Sequence, residues 1–340
     1  MRLFGGFCKA MPNLRVIIPT RDSARWIGAF LKAYRRSGIE PIYIVDTRSK
    51  DATFDILRDM SADLVPFTPT GDFVEAGMVE FGSRQAGAEW ILRLDDDEFP
   101  SAALLRWASS IGVKSLNQAW NISRRELFLH EGDIFYSRSP GCFRHPQAPE
   151  YLGPQGRFHR VDRVKYINRI HTVGFESPRY FPLAPEDAFF VHCNCLLRTP
   201  VERWEKIRKY EEIEPLSTLR IADEYLPELY DVAHHDAKRD GLEEFAELFD
   251  ALPIQWSAAL PKIDSVTLDL INREISNLHA LMSSSRLDHP VVSADDFAWL
   301  RYVPRRLWKP LAEILCTLGK RQLGGAIWAY ETDSRSWSPA

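Results

Sequence analysis

From Leu14 to about Trp107, short apolar runs alternate with amphipathic segments, the rhythm of strand–helix–strand units wound on a parallel sheet. Four runs predict strands: Val16-Ile17-Ile18, Ile42-Tyr43-Ile44-Val45, Leu64-Val65-Pro66-Phe67 and Trp90-Ile91-Leu92-Arg93-Leu94. Between the first two, Trp26, Ile27, Phe30, Leu31 and Tyr34 recur at helical spacing, with Asp22 or Ser23 as the cap and Gly38 as the stop. Further helices are predicted from Ala52 to Met60 and from about Val74 to Ala88. Branched side chains at consecutive strand positions imply a sheet covered by helices on both sides. The expected fold class is α/β, a Rossmann-related, mostly parallel sheet flanked by helices.

After Ser115 the pattern changes to extended segments rich in Arg, Gly and Pro, through about Val191, suited to closing over a site. From Pro200 onward helical spacing dominates: Val201 to Glu212, Leu216 to His234, Leu242 to Phe249 and Ser265 to Met282. The polar stretch Ser283 to Pro290 reads as a linker before a final segment rich in Trp and Arg. The expected organisation is one domain over 12–200, in two halves, 12–114 and 115–200, then a mainly helical region over 201–340. No internal repeat interrupts this.

The length, 340 residues, accommodates one large domain and a smaller attachment. A net charge of -4 provides no field for polyanions, so nucleic acid is not expected as a partner. Five cysteines, odd in number and irregularly spaced, argue against a disulfide framework and for a reducing, cytoplasmic setting. The residues before Met11 form no apolar core of signal-peptide length, and Met11 serves as well as Met1 for a start. No stretch approaches the roughly 20 apolar residues of a membrane-spanning helix.

The chemistry concentrates where loops leave the carboxyl ends of the strands, the ligand edge of a doubly wound sheet. Pro19-Thr20-Arg21 follows the first strand, Asp46-Thr47-Arg48-Ser49-Lys50-Asp51 the second, and Asp95-Asp96-Asp97-Glu98 the fourth. These loops are expected to meet. Four successive acids repel one another, and a divalent cation between them relieves the repulsion. Mn²⁺ or Mg²⁺ suits carboxylate oxygens and keeps positions open for phosphates. The alternative is a solvated acidic turn capping a helix near Pro100.

These stretches, together with Ser49-Lys50-Asp51-Ala52-Thr53 and Ser83-Arg84 running into the acidic strand, resemble family 2 glycosyltransferases with the nucleotide-sugar-binding fold called GT-A. The resemblance covers about the first 200 residues. It implies that Thr20 and Asp46 hold the nucleoside and that Arg84 faces the nucleotide. Asp95 falls near ribose and metal, and Asp97 becomes a direct metal ligand. Arg21 and Asp96 join the donor site. Gln155-Gly156-Arg157-Phe158-His159-Arg160 looks like a stretch of lipopolysaccharide-type members, which adds Arg157, and Ile170-His171 looks like their Val-His-Glu segment, with Thr172 in place of the acid.

In many GT-A enzymes a late histidine returns to the metal or diphosphate, which makes His192 a candidate ligand; the alternative is a satisfied structural histidine. Cys193 and Cys195 beside it cannot complete a tetrahedral zinc site. The basic run from Arg157 to His171 either neutralises phosphate or protects an edge ribbon. Trp120, Phe128, Phe135 and Tyr136 either stack on sugars or form core.

The resemblance implies a reaction that moves a sugar from a nucleotide-diphosphate donor to an acceptor hydroxyl, inverting in the family's manner, with a glycan or lipid-linked acceptor as in polysaccharide or lipopolysaccharide synthesis. A carboxylate must take the acceptor's proton. Glu176, Glu186 and Asp187 are the candidates, Asp187 first; its alternative is a turn or helix cap after Pro185. Two other classes stay open: a nucleotidyltransferase, although no Gly-rich loop follows the first strand, and a non-catalytic nucleotide-sugar-binding protein. Residues 303–330 mix Trp, Leu and Ile with Arg and Lys, the composition of either a peripheral contact with the inner face of the cytoplasmic membrane or a helix docked on the catalytic lobe.

Overall fold

A computed structural model describes residues 14–70, 75–111, 119–130, 132–137, 155–167, 174–175, 184–213, 225–226, 239–255, 261–270 and 272–273. His171, Glu176, the linker over 283–290 and the segment over 303–330 lie outside these residues, as do the start of the chain and Cys8, Cys142 and Cys316.

The parallel half forms as the hydrophobic pattern requires. Strands β1 (Leu14–Thr20), β2 (Ile42–Asp46), β3 (Asp63–Phe67) and β4 (Trp90–Arg93) pair in the order β3-β2-β1-β4, all parallel. Helices α1 (Ile27–Arg36), α2 (Thr53–Asp59) and α3 (Glu75–Gln85) make the crossovers. β1 and β2 are buried along nearly their whole length because helices cover both faces. On one face Phe30, Leu31 and Tyr34 of α1 pack on Val16, Ile18 and Tyr43. On the other, Met78 and Val79 of α3 meet Ile17, Ile44 and Ile91. Gly82 allows that second approach: a Cβ there would lie 2.5 Å from Ile44 Cγ1.

The start of α1 differs from expectation. Asp22 and Ser23 do not cap α1 through their side chains; the helix opens on Trp26 with no side-chain cap. Ser23 contributes its carbonyl, which accepts from the Trp26 and Ile27 amides, while its side chain and that of Asp22 are committed to neighbouring loops. Gly38, at φ 76°, ends the helix as expected.

Beyond β4 the sheet becomes mixed. The acidic run is not the cap of a helix; it turns directly into a short strand, β5 (Glu98–Pro100), before α4 (Ala102–Ile111), whose Leu104 amide is capped by the Ser101 hydroxyl at 3.0 Å. Four more strands follow: β6 (Ala119–His130), β7 (Asp133–Ser137), β8 (Gln155–Arg160) and β9 (Phe189–His192). β8 pairs antiparallel with β4 and β6, and the sheet continues β8-β6-β9-β5 with β7 beside β6. The parallel character is therefore confined to β1–β4 and the β6–β9 pair. A bulge between Trp120 and Asn121 interrupts the pairing of β6 with β8; past it, the strand pairs with β9. Trp90 stacks on Phe158 at 4.6 Å, and Trp107 meets Trp120 edge-on at 5.1 Å, joining the two halves into one core. Trp120, Phe128 and Tyr136 are buried and Phe135 is partly buried, so these aromatic residues belong to the core.

After β9 come a single turn, α5 (Asn194–Leu197), and α6 (Pro200–Ile213). Later, a 3-10 turn over Glu243–Phe245 leads into α7 (Ala246–Ala251), which returns Phe245 to within 6.3 Å of Phe99. Residues 265–270 are helical, the beginning of the helix expected from Ser265. Among the described residues no helix is long and apolar enough to cross a membrane.

Candidate functional site

The three polar loops converge as expected. Ser23 bonds Thr53 Oγ1 through its amide at 2.7 Å, the Ala24 amide reaches Asp51 at 2.9 Å, and the Lys50 amide reaches Asp22 at 2.6 Å. These bonds stitch the loop after β1 to the loop after β2. The third loop joins through Asp96, which accepts from the Ser23 hydroxyl and, at 3.4 Å, from the Arg21 amide. Thr20, buried at the end of β1, bonds back to Ile18 O at 3.0 Å. Asp46, 1 % exposed, accepts the Arg48 amide at 2.8 Å and lies 3.2 Å from the Arg48 guanidinium and 3.6 Å from that of Arg21.

The acidic run is relieved differently from the sequence argument. Each acid but Asp96 meets a cation of the chain itself. Asp95 pairs with Arg93 at 2.6 Å and Arg157 at 2.7 Å, using both oxygens. Glu98, wholly buried, pairs with the same Arg157 at 2.6 Å. Asp97 lies 2.6 Å from Arg198 through Oδ2 and 3.3 Å from His192 Nε2 through Oδ1. Glu126 closes the group from β6, 2.7 Å from His192 Nδ1.

Burial and charge set the titration of these groups in opposite directions. Burial alone would raise Asp97, but the charges of His192 and Arg198 hold it well below the usual carboxylate range. Burial alone would lower His192, but Glu126 and Asp97 lift it well above the usual imidazole value. Asp96, without its own cation, is pushed up to about 7 by burial and by the neighbouring Asp97. Glu98 is raised by burial and by Asp95.

Several expected site residues lie elsewhere or in other roles. Arg157 is a buried internal counter-ion, 2 % exposed, because β8 threads it under Asp95 and Glu98. Asp95 has both oxygens occupied by arginines, which leaves it poorly disposed as a metal ligand. Arg84 falls in the last turn of α3; a crossover helix runs antiparallel to its strands, so that turn ends at the edge opposite the acids. There Arg84 pairs with Glu80 at 2.9 Å and lies over Tyr166. Glu186 and Asp187 are exposed in a turn closed by the Ala188 amide on Pro185 O. Asp187 O accepts from Ser101 at the start of β9, whereas His192 at its end lies opposite Glu98. Five residues of extended chain, roughly 16 Å, separate them. The turn reading of Asp187 therefore holds, and the acid stands away from the cluster.

Sequence reasoning passed over Arg93, Glu126, Ser23 and Arg198. Arg93 was visible as an arginine inside an apolar strand, a position that demands a buried partner. Arg124 and Glu126 were visible at strand period two in β6, so that both face the same side. Arg198, stacked over Trp26 at 4.5 Å, carried no local signal.

Among the described residues, Asp97 and His192, now in contact with each other, are the pair whose spacing suits a divalent cation. Asp97 Oδ1 and His192 Nε2 are 3.3 Å apart, near the ~3 Å between adjacent ligands each about 2.1 Å from an octahedral ion. Glu126 on the far ring nitrogen is the carboxylate partner usual for a ligating imidazole. Among the described residues no group of three or more His, Cys, Asp or Glu is disposed around one point for a metal ion. Such a cation would complete its shell from ligand oxygens. Cys193 and Cys195 are buried free thiols.

No protein-family model and no curated protein matches the chain. Among solved structures it is similar to S. aureus TarS 1-349, at 14 % identity over 71 % of this chain and 81 % of that one with a TM-score of 0.38. It is also similar to the same protein in complex with UDP-GlcNAc, at 12 % identity over 95 % and 91 %, with a TM-score of 0.36. A third similarity is to glucosyl-3-phosphoglycerate synthase from Mycobacterium tuberculosis in complex with Mn²⁺, UDP and phosphoglyceric acid, at 12 % identity with a TM-score of 0.28. That match covers 34 % of this chain, and the chain spans 43 % of the synthase's length. Likenesses this distant leave the functional reading to the residues themselves.

Proposed function

We propose that the chain is a metal-dependent glycosyltransferase of the GT-A type, which moves a sugar from a nucleotide-diphosphate donor to an acceptor hydroxyl. The observation that carries this reading is the acid edge: Asp46, Asp95, Asp96 and Asp97 gathered at the carboxyl ends of β2 and β4, with His192 3.3 Å from Asp97. A parallel sheet places ligands at that edge. Asp46 and Thr20 stand at the ends of neighbouring strands, where a nucleoside would rest; Arg21 and Arg48, both partly exposed, would turn from Asp46 toward the donor. Arg198 holds Asp97 at 2.6 Å, and a guanidinium beside the acid edge is suited to a diphosphate. Asp97 and His192 would hold Mn²⁺ or Mg²⁺. Such an ion, when bound, offsets the charge that develops on the departing diphosphate.

Inverting transfer needs one further carboxylate, near the acceptor, to take its proton as the new glycosidic oxygen bond forms. Asp187 and Glu186 stand apart from the cluster, which leaves Glu176 of the three candidates. The acceptor belongs to the glycan or lipid-linked class.

The test is incubation of the full chain with a panel of nucleotide sugars and Mn²⁺, following release of nucleoside diphosphate. Slow donor hydrolysis, lost in EDTA, is expected, and Glu176→Gln should lower acceptor-dependent turnover on the order of a hundredfold with donor binding kept. Release of inorganic pyrophosphate from a nucleoside triphosphate and a sugar phosphate would instead identify a nucleotidyltransferase. Tight donor binding without hydrolysis or transfer would identify a binding protein.

A further inference from the structure

We infer that Glu126 is a positioning residue for the cation: it fixes the His192 ring through Nδ1 and thereby holds Nε2 against Asp97. The inference deepens the reading above and rests on it. β6 and β9 run parallel with Glu126 in register with His192, and the carboxylate Oε2 lies 2.7 Å from Nδ1. Both side chains are buried, Glu126 4 % and His192 5 % exposed.

An imidazole binds a cation through one neutral ring nitrogen, and the hydrogen bond at the other nitrogen decides which one is available. A carboxylate at Nδ1 requires a proton there. Nε2 is then the atom left to ligate, its own proton passing to solvent as the ion enters, and it faces Asp97 Oδ1 at 3.3 Å. A buried glutamate is costly unless compensated. Arg124 Nε approaches the same Oε2 at only 3.5 Å, and among the described residues Oε1 accepts no hydrogen bond, so the bond to His192 is the strong contact that this carboxylate makes there. Asp97 itself is fixed by Arg198 through its other oxygen, and its carbonyl accepts the Cys193 amide at 2.8 Å. The two atoms that would meet the ion are thus each held from behind by a residue that would not.

Mn²⁺ titration of the full chain, followed by the electron paramagnetic resonance of the free ion, tests this in four proteins: wild type, Glu126→Gln, His192→Ala and the double variant. Glu126→Gln is expected to weaken Mn²⁺ binding about 10- to 100-fold, the usual effect of losing a ligand's orienting partner, with no further loss in the double variant beyond His192→Ala. Unchanged affinity in a folded Glu126→Gln protein, or losses that add in the double variant, would overturn the inference. A wild-type chain that binds no Mn²⁺ overturns the cation reading itself, and Glu126's role with it. Should Glu126→Gln fail to fold, the ring ¹⁵N shifts of His192 in the wild type saturated with Mg²⁺ decide: a proton on Nδ1 and none on Nε2 is expected, and the opposite tautomer refutes the proposal.

Discussion

Asp97 holds two cations at once, and its carboxylate is 3 % exposed. Taken as one of four mutually repelling acids, it ought to be removable without harm. Its partners reverse that expectation, because Asp97→Asn leaves the Arg198 guanidinium without its paired carboxylate and His192 with Glu126 alone. The variant should lose about 3–5 kcal/mol of unfolding free energy, measured by urea denaturation without metal; unchanged stability would mean that the ion pairs carry no net weight. His159 gives a pH signature away from the cleft. It is buried between Ser83 and Tyr166, each 3.2 Å from Nε2, and burial together with Arg93 lowers its pKa to about 3. The unfolded chain takes up that proton near pH 6.5, the folded one only near 3. Stability is therefore complete above the unfolded value and falls as the pH drops through that window. From about pH 6 to about pH 4, wild-type stability should decline more steeply than that of His159→Gln, by roughly 1.4 kcal/mol per pH unit. Parallel declines would show that His159 titrates normally. The acids were legible because they follow a strand directly. Their counter-ions were not: Arg157 meets Asp95, and Arg198 meets Asp97, across separations of 62 and 101 residues, which no local pattern encodes.

At the scale of elements, periodicity gave β1 to β4 and their helices to within two or three residues at each end, since each strand is a short apolar run with a helix on either face. The caps were misread because Asp22 and Ser23 have two possible uses, and bonds between loops took precedence over bonds to the helix. β5 was invisible, being three residues long and partly acidic. Helix α3 supplies a test of packing. Gly82 would ordinarily gain about 1 kcal/mol of helix propensity on becoming alanine. Here the new Cβ would lie 2.5 Å from Ile44 Cγ1 and 2.8 Å from its Cδ1, and both are in the interior of the sheet. Gly82→Ala should therefore lower stability by about 1–3 kcal/mol, part of which Ile44→Val restores by removing Cδ1. A thermal midpoint at or above that of the wild type would show that the helix simply lifts away.

At the scale of the whole molecule, the parallel half supplies Asp95, Asp96 and Asp97, and the mixed half supplies Arg157 from β8, His192 from β9 and Arg198 just before α6 to balance them, with Glu126 of β6 behind His192. The candidate site thus exists only when the two halves are joined through β4 and β8. The first half and the direction of its ligand edge were legible in the hydrophobic pattern, while the second half, built from strands that pair far along the chain, showed only as a change of rhythm. The central claim is that this junction binds a nucleotide-diphosphate sugar with the help of a divalent cation. Calorimetric titration of the full chain with a panel of nucleotide sugars, in Mn²⁺ and again in EDTA, tests it most directly. Binding of at least one donor in Mn²⁺ that weakens severalfold or more in EDTA is the predicted result; equal affinity in both, or no donor bound in either, would contradict it.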